Sequence, residues 1–395
     1  MRITAIDDLH CDAGWRNFSY LKVSTDEGIT GWSEYNESYG SQGLSHIIRL
    51  LGKSLIGRDP RPVGRVSADL GQMIRQAPGG VNQQAVAAIE NALLDVKAKA
   101  LGVPVYALFG GPYRDRLTLY WSHCGTYRFR HVDKMGKPPV RSLDDIKALG
   151  REVAARGFKA LKCNIYRFDE AEPYVYGIQQ TKPTETFHPE MNVTSAVVRA
   201  IRDELAAFRE GAGPEMGLLM DLNFNFKTEG FLRVARAVEP FDMTWLELDT
   251  FDAGALATIR RGSRVPIASL ETIYGREDFK PFFEKYAVDV AIVDVIWNGM
   301  LESLRIAAMA EPYQVNVAPH NFYGHLCSCI SANFCAAIPN FRIMEIDIDD
   351  VPWKDDLVTH PPVIEDGHLL LPTRPGWGTD INEEAVRAHP PKRKG

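Results

Sequence analysis

Six short apolar runs, each closed by an acidic residue or a histidine, decide the fold of this sequence. The runs are Met216-Gly-Leu-Leu-Met-Asp221, Met243-Thr-Trp-Leu-Glu247, Val265-Pro-Ile-Ala-Ser-Leu-Glu271, Val288-Asp-Val-Ala-Ile-Val-Asp294, Val315-Asn-Val-Ala-Pro-His320 and Phe341-Arg-Ile-Met-Glu345. Their polar ends lie 26, 24, 23, 26 and 25 residues apart. Each interval has room for one helix and two loops, so each step predicts a β-strand with its return helix. This rhythm is typical of a (β/α) barrel, an α/β fold in which all strand ends open at one mouth.

Length and composition fit a soluble enzyme of two domains. The chain has 395 residues, which is enough for a barrel of roughly 200–250 residues and one smaller domain. The sequence has no run near the ~20 apolar residues of a membrane helix, and its start lacks the apolar core of a signal peptide. We therefore expect a cytoplasmic protein with no membrane partner. A formal net charge of -6 without long basic runs also argues against a nucleic-acid partner.

The chain divides into three predicted segments. Residues 1–115 do not follow the rhythm of strand ends. Alternation around Asp26-Glu-Gly28 predicts a meander of three strands, and apolar periodicity over residues 81–101 predicts a helix, which together indicate an α+β domain. Residues 116–350 are expected to form the barrel, with first strand Leu117–Cys124 and second strand Phe158–Asn164. Residues 351–395 fit a hairpin and a tail that return to the first domain.

Two loops of the predicted barrel are unusually long. Residues 125–140 follow the first strand, and residues 165–191 follow the second. Loops of this length in a compact barrel more often carry function than not, although a disordered insertion is the alternative. Their aromatic and basic side chains include Tyr127, Arg128, His131, Tyr166, Arg167, Tyr174, Tyr176 and His188.

Three consecutive strands end in carboxylates, Asp221, Glu247 and Glu271. An all-oxygen set of this kind suits a hard divalent cation that keeps open positions for substrate, which is Mg²⁺ or else Mn²⁺. A single strand-end acid is as often a helix cap or a surface ion pair. Three acids in register would repel one another without a cation, and this weakens the alternative of unrelated acids.

The next two strand ends predict an oriented base. Asp294 is placed to hold one imidazole nitrogen of His320, whose pKa the carboxylate would raise; a histidine satisfied within the core is the alternative. On the second strand, Lys162 faces the carboxylates and is expected either to neutralise a substrate carboxylate or to act as a base. Glu345 on the last strand is expected to be protonated and to donate to a developing enolate oxygen, with a salt bridge as the equal alternative.

These groups together predict a reaction type. A cation that chelates a carboxylate, with a base at the adjacent carbon, lowers the cost of removing an α-proton because it stabilises the enediolate. The second acid or base then decides what the enediolate becomes.

The chain resembles the mandelate racemase subgroup of the enolase superfamily, within the mandelate racemase/muconate lactonizing enzyme family. The resemblance rests on the ordered strand-end residues above, on Gly31-Trp-Ser-Glu34, and on Ala88-Ile-Glu-Asn-Ala-Leu-Leu-Asp-Val-Lys-Ala-Lys-Ala-Leu-Gly-Val-Pro-Val-Tyr106. It implies a modified TIM barrel, (β/α)7β, with an N-terminal α+β capping domain completed by the C-terminal tail. It also implies one Mg²⁺ on Asp221, Glu247 and Glu271, and an Asp294–His320 dyad.

The departures from the family pattern bear on the reaction. The second strand often carries Lys-x-Lys, whose later lysine is a base opposite the histidine, but here the run is Lys162-Cys163-Asn164. Some acid-sugar dehydratases that share Lys-x-Asn place a histidine two residues after the first metal ligand, where this chain has Asn223. The usual Glu-Glu-Pro around the second ligand is Glu247-Leu248-Asp249, so only its first acid is kept.

Dehydration of an acid sugar to a 2-keto-3-deoxy acid is the leading hypothesis, because a racemase needs bases on both faces and only His320 is assured. The alternatives are a racemase or epimerase with Lys162 as second base, a lactone cycloisomerase, and a catalytically weak metal-dependent binding protein. We expect a small carboxylate substrate and a homo-oligomer. The predicted substrate contacts are Trp15, Arg16, Asn164, Tyr166, Asn223 and His325; His123 is a further residue that could reach the pocket.

Overall fold

The computed structural model describes residues 1–169, 171–177 and 190–392. Its first part contains β1 (Ile3–Ala13), β2 (Arg16–Thr25), β3 (Thr30–Tyr35), α1 (Leu44–Gly52), α2 (Val63–Met73) and α3 (Gly80–Leu101). The three strands form an antiparallel sheet in the order β1-β2-β3, which confirms the predicted meander. Gly28 takes a left-handed φ of 77° in the turn that joins β2 to β3, a conformation that favours glycine.

Helix α3 is the predicted helix of this part, and it packs directly on the sheet. A Cβ at Gly31 of β3 would lie 2.2 Å from the carbonyl oxygen of Ala92, so the strand and the helix touch backbone to backbone. Gly102, with φ 70°, ends the helix in the left-handed conformation. The sheet and its helices together form the predicted α+β capping domain.

The second part alternates strands and helices. Its elements are β4 (Arg116–Ser122), α4 (Val132–Met135), α5 (Leu143–Ala155), β5 (Ala160–Cys163), β6 (Tyr166–Arg167), β7 (Tyr174–Val175), α6 (Ser195–Ala212), β8 (Gly217–Asp221), α7 (Thr228–Val238), β9 (Trp245–Glu247), α8 (Ala253–Gly262), β10 (Ile267–Ser269), α9 (Gly275–Glu284), β11 (Val290–Val293), α10 (Val295–Asn298), α11 (Met300–Ala310), β12 (Asn316–Pro319), α12 (His325–Ala337) and β13 (Met344–Asp347).

Eight of these strands pair in parallel. They follow the order β4-β5-β8-β9-β10-β11-β12, and β13 pairs with β4. Just before β13, Val317 of β12 donates its N–H to the carbonyl of Asn340 and accepts from the N–H of Arg342, each at 2.8 Å. The strands therefore follow the order of the predicted barrel. A buried apolar cluster fills the interior. Each of the eight parallel strands contributes to it, β13 through the residue just before it, and its members are Tyr120, Ala160, Leu219, Trp245, Ala268, Val290, Ile292, Ala318 and Ile343.

The C-terminal segment contacts both parts of the chain. It contains β14 (Ile364–Glu365), β15 (His368–Leu370) and α13 (Glu383–Ala388). The predicted hairpin is present, but it extends the barrel, because β15 pairs antiparallel with β4. Beyond it, the Trp377 indole donates to the carbonyl of Trp32 at 2.9 Å, and the carbonyl of His389 accepts from Asp12 N–H at 2.9 Å. The tail thus binds the barrel first and the capping domain afterwards.

Buried side chains of the capping domain bind the barrel next to the strand ends. Glu34 of β3 accepts N–H groups of Gly324 and Cys327, at 2.6 and 2.9 Å, where α12 begins. Asn91 of α3 accepts the Met300 N–H at 3.0 Å and donates to the Val295 carbonyl at 3.2 Å. These contacts hold the capping domain over the side of the barrel at which the polar run ends lie.

The long loops are only partly described. The first contains a 3-10 turn and α4. The second begins with the antiparallel pair β6-β7, and His188, one of the basic side chains noted in this loop, lies outside the described residues. No helix in the described ranges is both long and apolar enough to span a membrane.

A buried carboxyl supports the second loop and predicts a pH-dependent stability. Glu204 of α6 accepts the Tyr166 N–H at 2.9 Å, and burial raises its pKa to about 8 from an ordinary 4.5. The folded state therefore holds this proton after the unfolded chain has released it. Stability from this group is full below pH 4.5 and is lost as the pH rises towards 8.

We expect Glu204→Gln to be spared this loss. Relative to the variant, the wild-type protein should become less stable by up to about 1.4 kcal/mol per pH unit between pH 5 and 8. Urea unfolding at several pH values measures the difference. Glu210→Gln, on the exposed face of the same helix, is the control and should track the wild-type protein. A difference between Glu204→Gln and wild type that does not change with pH would contradict the assignment.

Candidate active site

The first three strand ends bring carboxylates together. Asp221 at the end of β8 is the register partner of Glu247 at the end of β9, and Glu271 follows β10. Asp221 and Glu247 are buried. Burial raises the pKa of all three carboxyls. The negative charge of a neighbour in the set raises each further: Glu271 raises the pKa of Asp221, Asp221 that of Glu247, and Glu247 that of Glu271. The three acids therefore share one electrostatic environment.

Lys162 is the buried cation of this cluster. Its Nζ lies 2.8 Å from Glu247 Oε1 and 3.0 Å from Glu345 Oε1. Burial alone would lower the pKa of Lys162, but Glu247 and Glu345 outweigh it and raise the pKa well above its ordinary value. The second Glu247 oxygen accepts the Trp245 indole N–H at 3.0 Å. Lys162 is thus an ammonium held between two carboxylates.

Glu345 corrects a prediction. It was expected to be a protonated donor, but its oxygens accept from Ser122 Oγ, from the Asn321 N–H at 2.6 Å and from Lys162. Burial alone would raise the pKa of Glu345, yet Lys162, followed by His320 and other neighbours, lowers it to about 2. Its carboxyl group is therefore an ionised acceptor, and the alternative of a salt bridge is the one observed.

The predicted dyad hydrogen bond is present. His320 Nδ1 lies 2.7 Å from Asp294 Oδ2, which also accepts the Tyr323 hydroxyl at 2.6 Å. The other Asp294 oxygen accepts the N–H groups of Ile296 and Trp297, each at 2.9 Å, at the start of α10. Because a carboxylate only accepts, Nδ1 carries the proton and Nε2 is the nitrogen left for chemistry.

The free nitrogen of the dyad faces the carboxylate cluster. His320 Nε2 lies 3.5 Å from Glu271 Oε2. Burial alone would lower the pKa of His320, but Glu271, followed by Asp294, raises it to about 10. The dyad and the cluster thus form one site at one end of the barrel.

The carboxylates are the kind of ligands that bind a metal ion, but in this structure they contact Lys162 and His320. Within the described ranges, no three His, Cys, Asp or Glu side chains are arranged to hold a metal ion as they stand. Glu247 is engaged by Lys162 and Trp245, and Glu271 faces His320. The donor set is all oxygen and carries more negative charge than its neighbours balance, which fits a hard divalent cation.

Comparison with known families agrees with this geometry. Residues 13–110 match the N-terminal domain of mandelate racemase and muconate lactonizing enzyme, and residues 145–385 match the enolase C-terminal domain-like family. The chain belongs to the mandelate racemase/muconate lactonizing enzyme family. This confirms the predicted resemblance.

Individual relatives differ in their named activities. A structure from Burkholderia xenovorans, provisionally assigned as an L-alanine-DL-glutamate epimerase and bound to magnesium and fumarate, is 49% identical, with a TM-score of 0.96 over 100% of this chain and 97% of that one. A D-xylonate dehydratase of Haloferax volcanii is 29% identical over 93% of this chain and 84% of its own. A D-mannonate dehydratase of a Sphingomonas species is 28% identical over 96% and 92%.

Of the predicted substrate contacts, Asn223 contacts the cluster, and Asn164 follows the strand that carries Lys162. Asn223 donates its N–H to Asp221 Oδ1 at 2.8 Å and has a left-handed φ of 45°. Asn164 is buried two residues after Lys162, and its Oδ1 accepts the Thr126 hydroxyl at 2.7 Å. Both residues follow strand ends, and their contact with substrate stays a prediction.

Tyr166 and His325 are held elsewhere. The Tyr166 hydroxyl donates to the Cys124 carbonyl at 2.7 Å within the core, so it is turned away from the carboxylates. His325 Nε2 bonds to Asp355 Oδ1 at 2.6 Å. Neither side chain contacts the cluster, and their predicted roles gain no support from these contacts.

Trp15 and Arg16 form the junction between the capping domain and the barrel. The Trp15 ring stacks on His131 with centroids 5.0 Å apart. The buried Arg16 guanidinium binds Asp350 Oδ2 at 2.8 Å and lies 4.0 Å from Asp347. Two of its nitrogens, Nε and NH1, are buried and have no partner among the described residues.

Sequence reasoning missed the acids at the end of β13 and just beyond it. Asp347 accepts from His123 and Tyr127, Asp349 binds Arg128, and Asp350 binds Arg16 and Lys354. The run Asp347-Ile-Asp-Asp350, just beyond Glu345, was a visible signal, because alternate residues of a strand end share one face. Asp249 was noted only as a departure, and it too is a buried acid beside the cluster.

The buried pair of Lys162 and Glu345 predicts a large loss of stability for Glu345→Gln. The change leaves the ammonium with one carboxylate fewer, which costs about 3–5 kcal/mol for a buried pair. Urea unfolding at pH 7 measures it. The matched control is Glu239→Gln, which breaks the exposed pair with Arg264 and should cost less than about 1 kcal/mol. Equal small losses would mean that the buried pair is not ionised.

Proposed function

We propose that the protein uses His320 to remove the α-proton of a carboxylate substrate, and that it dehydrates an acid sugar to a 2-keto-3-deoxy acid. The observation that carries the proposal is the Asp294–His320 pair with its free nitrogen 3.5 Å from Glu271 Oε2. An oriented imidazole beside a carboxylate cluster is the arrangement that α-proton removal requires.

A Mg²⁺ ion would be held by Asp221, Glu247 and Glu271, with Mn²⁺ as a substitute. When bound, it would supply the positive charge that stabilises a substrate carboxylate as it takes up the electrons of the broken C–H bond. This assignment is supported by the surplus of buried negative charge and by the magnesium in the Burkholderia relative. A cation bound to Glu271 would also neutralise the charge that raises the pKa of His320 most. The pKa of His320 would then fall, and a lower pKa lets the imidazole act as a base.

The protein's own residues then have separate tasks. His320 Nε2 accepts the α-proton, while Asp294 holds Nδ1–H and stabilises the imidazolium that forms. Lys162, as an ammonium, faces the developing charge on the substrate carboxylate. Glu345 holds Lys162 and the Asn321 backbone in place, and so positions the groups around it.

Dehydration is favoured over epimerisation because the second strand offers no free second base: its usual second-base position is not a lysine, and its earlier lysine is bound by two carboxylates. Lys162 lies between Glu247 and Glu345, and the later lysine of the Lys-x-Lys pattern is Asn164 here. The relatives named as dehydratases cover nearly the whole chain at 28–29% identity. Epimerisation remains the second candidate, because the Burkholderia relative at 49% identity is assigned to that activity.

The test follows products and α-deuterium together. We would incubate the Mg²⁺-loaded protein in D₂O with D-xylonate, D-mannonate, D-gluconate and D-galactonate, and separately with L-Ala-DL-Glu, and observe them by NMR. A 2-keto-3-deoxy product supports dehydration. Deuterium exchange with inversion and without water loss would replace it by epimerisation, and silence from every acid would contradict the proposal.

Removal of the metal or of one ligand should abolish the reaction. EDTA should stop exchange, and Mg²⁺ should restore it. Asp221→Asn keeps the hydrogen bond to the Asn223 N–H but loses a charge, so we expect Mg²⁺ affinity by calorimetry to fall by a factor on the order of 10–100 or more. Asp59→Asn is the matched control, because Asp59 also accepts the N–H two residues on, but at the surface. Unchanged Mg²⁺ binding in Asp221→Asn would remove Asp221 from the ligand set.

The role of His320 predicts a specific loss. His320→Asn retains a donor for Asp294 but has no base, so α-deuterium exchange should fall by about 10²–10⁴-fold while Mg²⁺ binding persists. Exchange is measured by NMR at saturating substrate. His368→Asn, at a half-buried position in the C-terminal hairpin, should exchange as the wild type does. Persistent exchange in His320→Asn would assign the base to another residue.

A further inference from the structure

A second imidazole–carboxylate pair lies in the same barrel mouth. His123 follows β4 and Asp347 ends β13, two strands that pair directly. His123 Nδ1 lies 3.0 Å from Asp347 Oδ1 and 3.3 Å from the Ser122 hydroxyl. As in the Asp294–His320 dyad, the carboxylate only accepts, so the proton is on Nδ1. The two pairs lie on either side of Glu345 in the order of the strands.

The second pair faces the site rather than the core. Phe322 contacts both imidazoles, with its ring centroid 5.0 Å from that of His320 and 5.8 Å from that of His123. Counted along the paired strands, β4 is four strands from β10, whose end carries Glu271. His123 therefore lies across the mouth from Glu271, where the part of a substrate beyond its carboxylate and α-carbon would extend.

The outer nitrogen of His123 is available. Its Nε2 has no hydrogen-bond partner in residues 1–169, 171–177 and 190–392, and the side chain is 18% exposed. Burial alone would lower the pKa of His123, but Asp347 outweighs it and raises the pKa. This direction favours the imidazolium form, in which Nε2 also carries a proton that it can donate.

Its carboxylate partner is fixed from several directions. Asp347 Oδ2 accepts the Tyr127 hydroxyl at 3.1 Å, and Arg16 lies 4.0 Å away. Tyr127 also stacks on the His123 ring, with centroids 5.1 Å apart. The backbone of His123 has a φ of 45°, a costly conformation for a residue with a Cβ, and its carbonyl accepts the Thr126 N–H at 2.9 Å. This is more support than an incidental surface histidine receives.

We propose that His123 is the general acid that protonates the departing hydroxyl group in the dehydration. The inference rests on the proposed function. His320 first takes the α-proton, and the C–H electrons move into the carboxylate. As they return to form C2=C3, the C3–O bond breaks, and the oxygen takes its electron pair together with the proton of His123 Nε2 to leave as water. The enol becomes the 2-keto-3-deoxy acid when His320 returns its proton to C3 and His123 takes the proton of the C2 hydroxyl.

The test separates the two half-reactions in His123→Asn, whose amide still reaches Asp347. With whichever sugar acid the wild-type protein dehydrates, we expect α-deuterium exchange within about threefold of wild type and dehydration slower by about 10²–10⁴-fold. The 3-deoxy-3-fluoro analogue of that acid eliminates fluoride, which needs no such proton, and gives the same keto acid. His123→Asn should process this analogue within about tenfold of the wild-type rate.

Two further variants test whether His123 acts through Asp347 and whether the effect is specific to this pair. Asp347→Asn should slow dehydration and spare exchange and fluoride loss, because it acts through His123. His360→Asn, at an exposed site, should match wild type in all three measurements. Wild-type dehydration rates in His123→Asn, or loss of exchange and fluoride elimination together with dehydration, would overturn the role. Absence of dehydration by the wild-type protein would instead overturn the proposed function itself.

Discussion

The buried negative charge at the barrel mouth is the constraint on which the site depends. Asp221, Glu247 and Glu345 are buried strand-end acids with Glu271 beside them, and Lys162 is their buried ammonium. Uncompensated charges in a protein interior cost several kcal/mol each, so the acids must share cations or keep their protons. The sharing is uneven: Glu345 gains enough positive neighbours to stay ionised, while the pKa values of the other three rise. That remaining imbalance is the physical reason to place a divalent cation there.

The groups of the site are oriented by partners that cannot easily move. Asp294 is held by two N–H groups of α10, and it in turn sets the tautomer of His320. The segment that carries His320 continues directly into α12, whose first N–H groups bind Glu34 of the capping domain. The capping domain therefore helps to position the segment that carries His320. A shift of this domain would move Gly324, which lies four residues after His320 in the chain, and so would displace His320.

Most of the fold could be predicted because its signal is local and repeated. Regular spacing of apolar runs is sufficient for the barrel, and the parallel pairing of strands then brings Asp221, Glu247 and Glu271 together without further information. The state of Glu345 could not be predicted, because it depends on how closely Lys162 approaches. The His123–Asp347 contact joins residues 224 positions apart through the closing strand pair. The hairpin's place on β4 and the burial of Tyr166 likewise depend on three-dimensional packing.

Elimination and inversion share their first step, so the outcome depends on the second proton donor. An epimerase returns a proton to the same carbon from the opposite face, whereas a dehydratase gives one to an oxygen on the neighbouring carbon. Lys162 is confined by two carboxylates. His123 is instead bound by Asp347 through Nδ1, its Nε2 has no partner among the described residues, and Phe322 contacts both imidazole rings. Because each imidazole has its own carboxylate partner, each can hold a different protonation state during one turnover, as the proposed elimination of water requires.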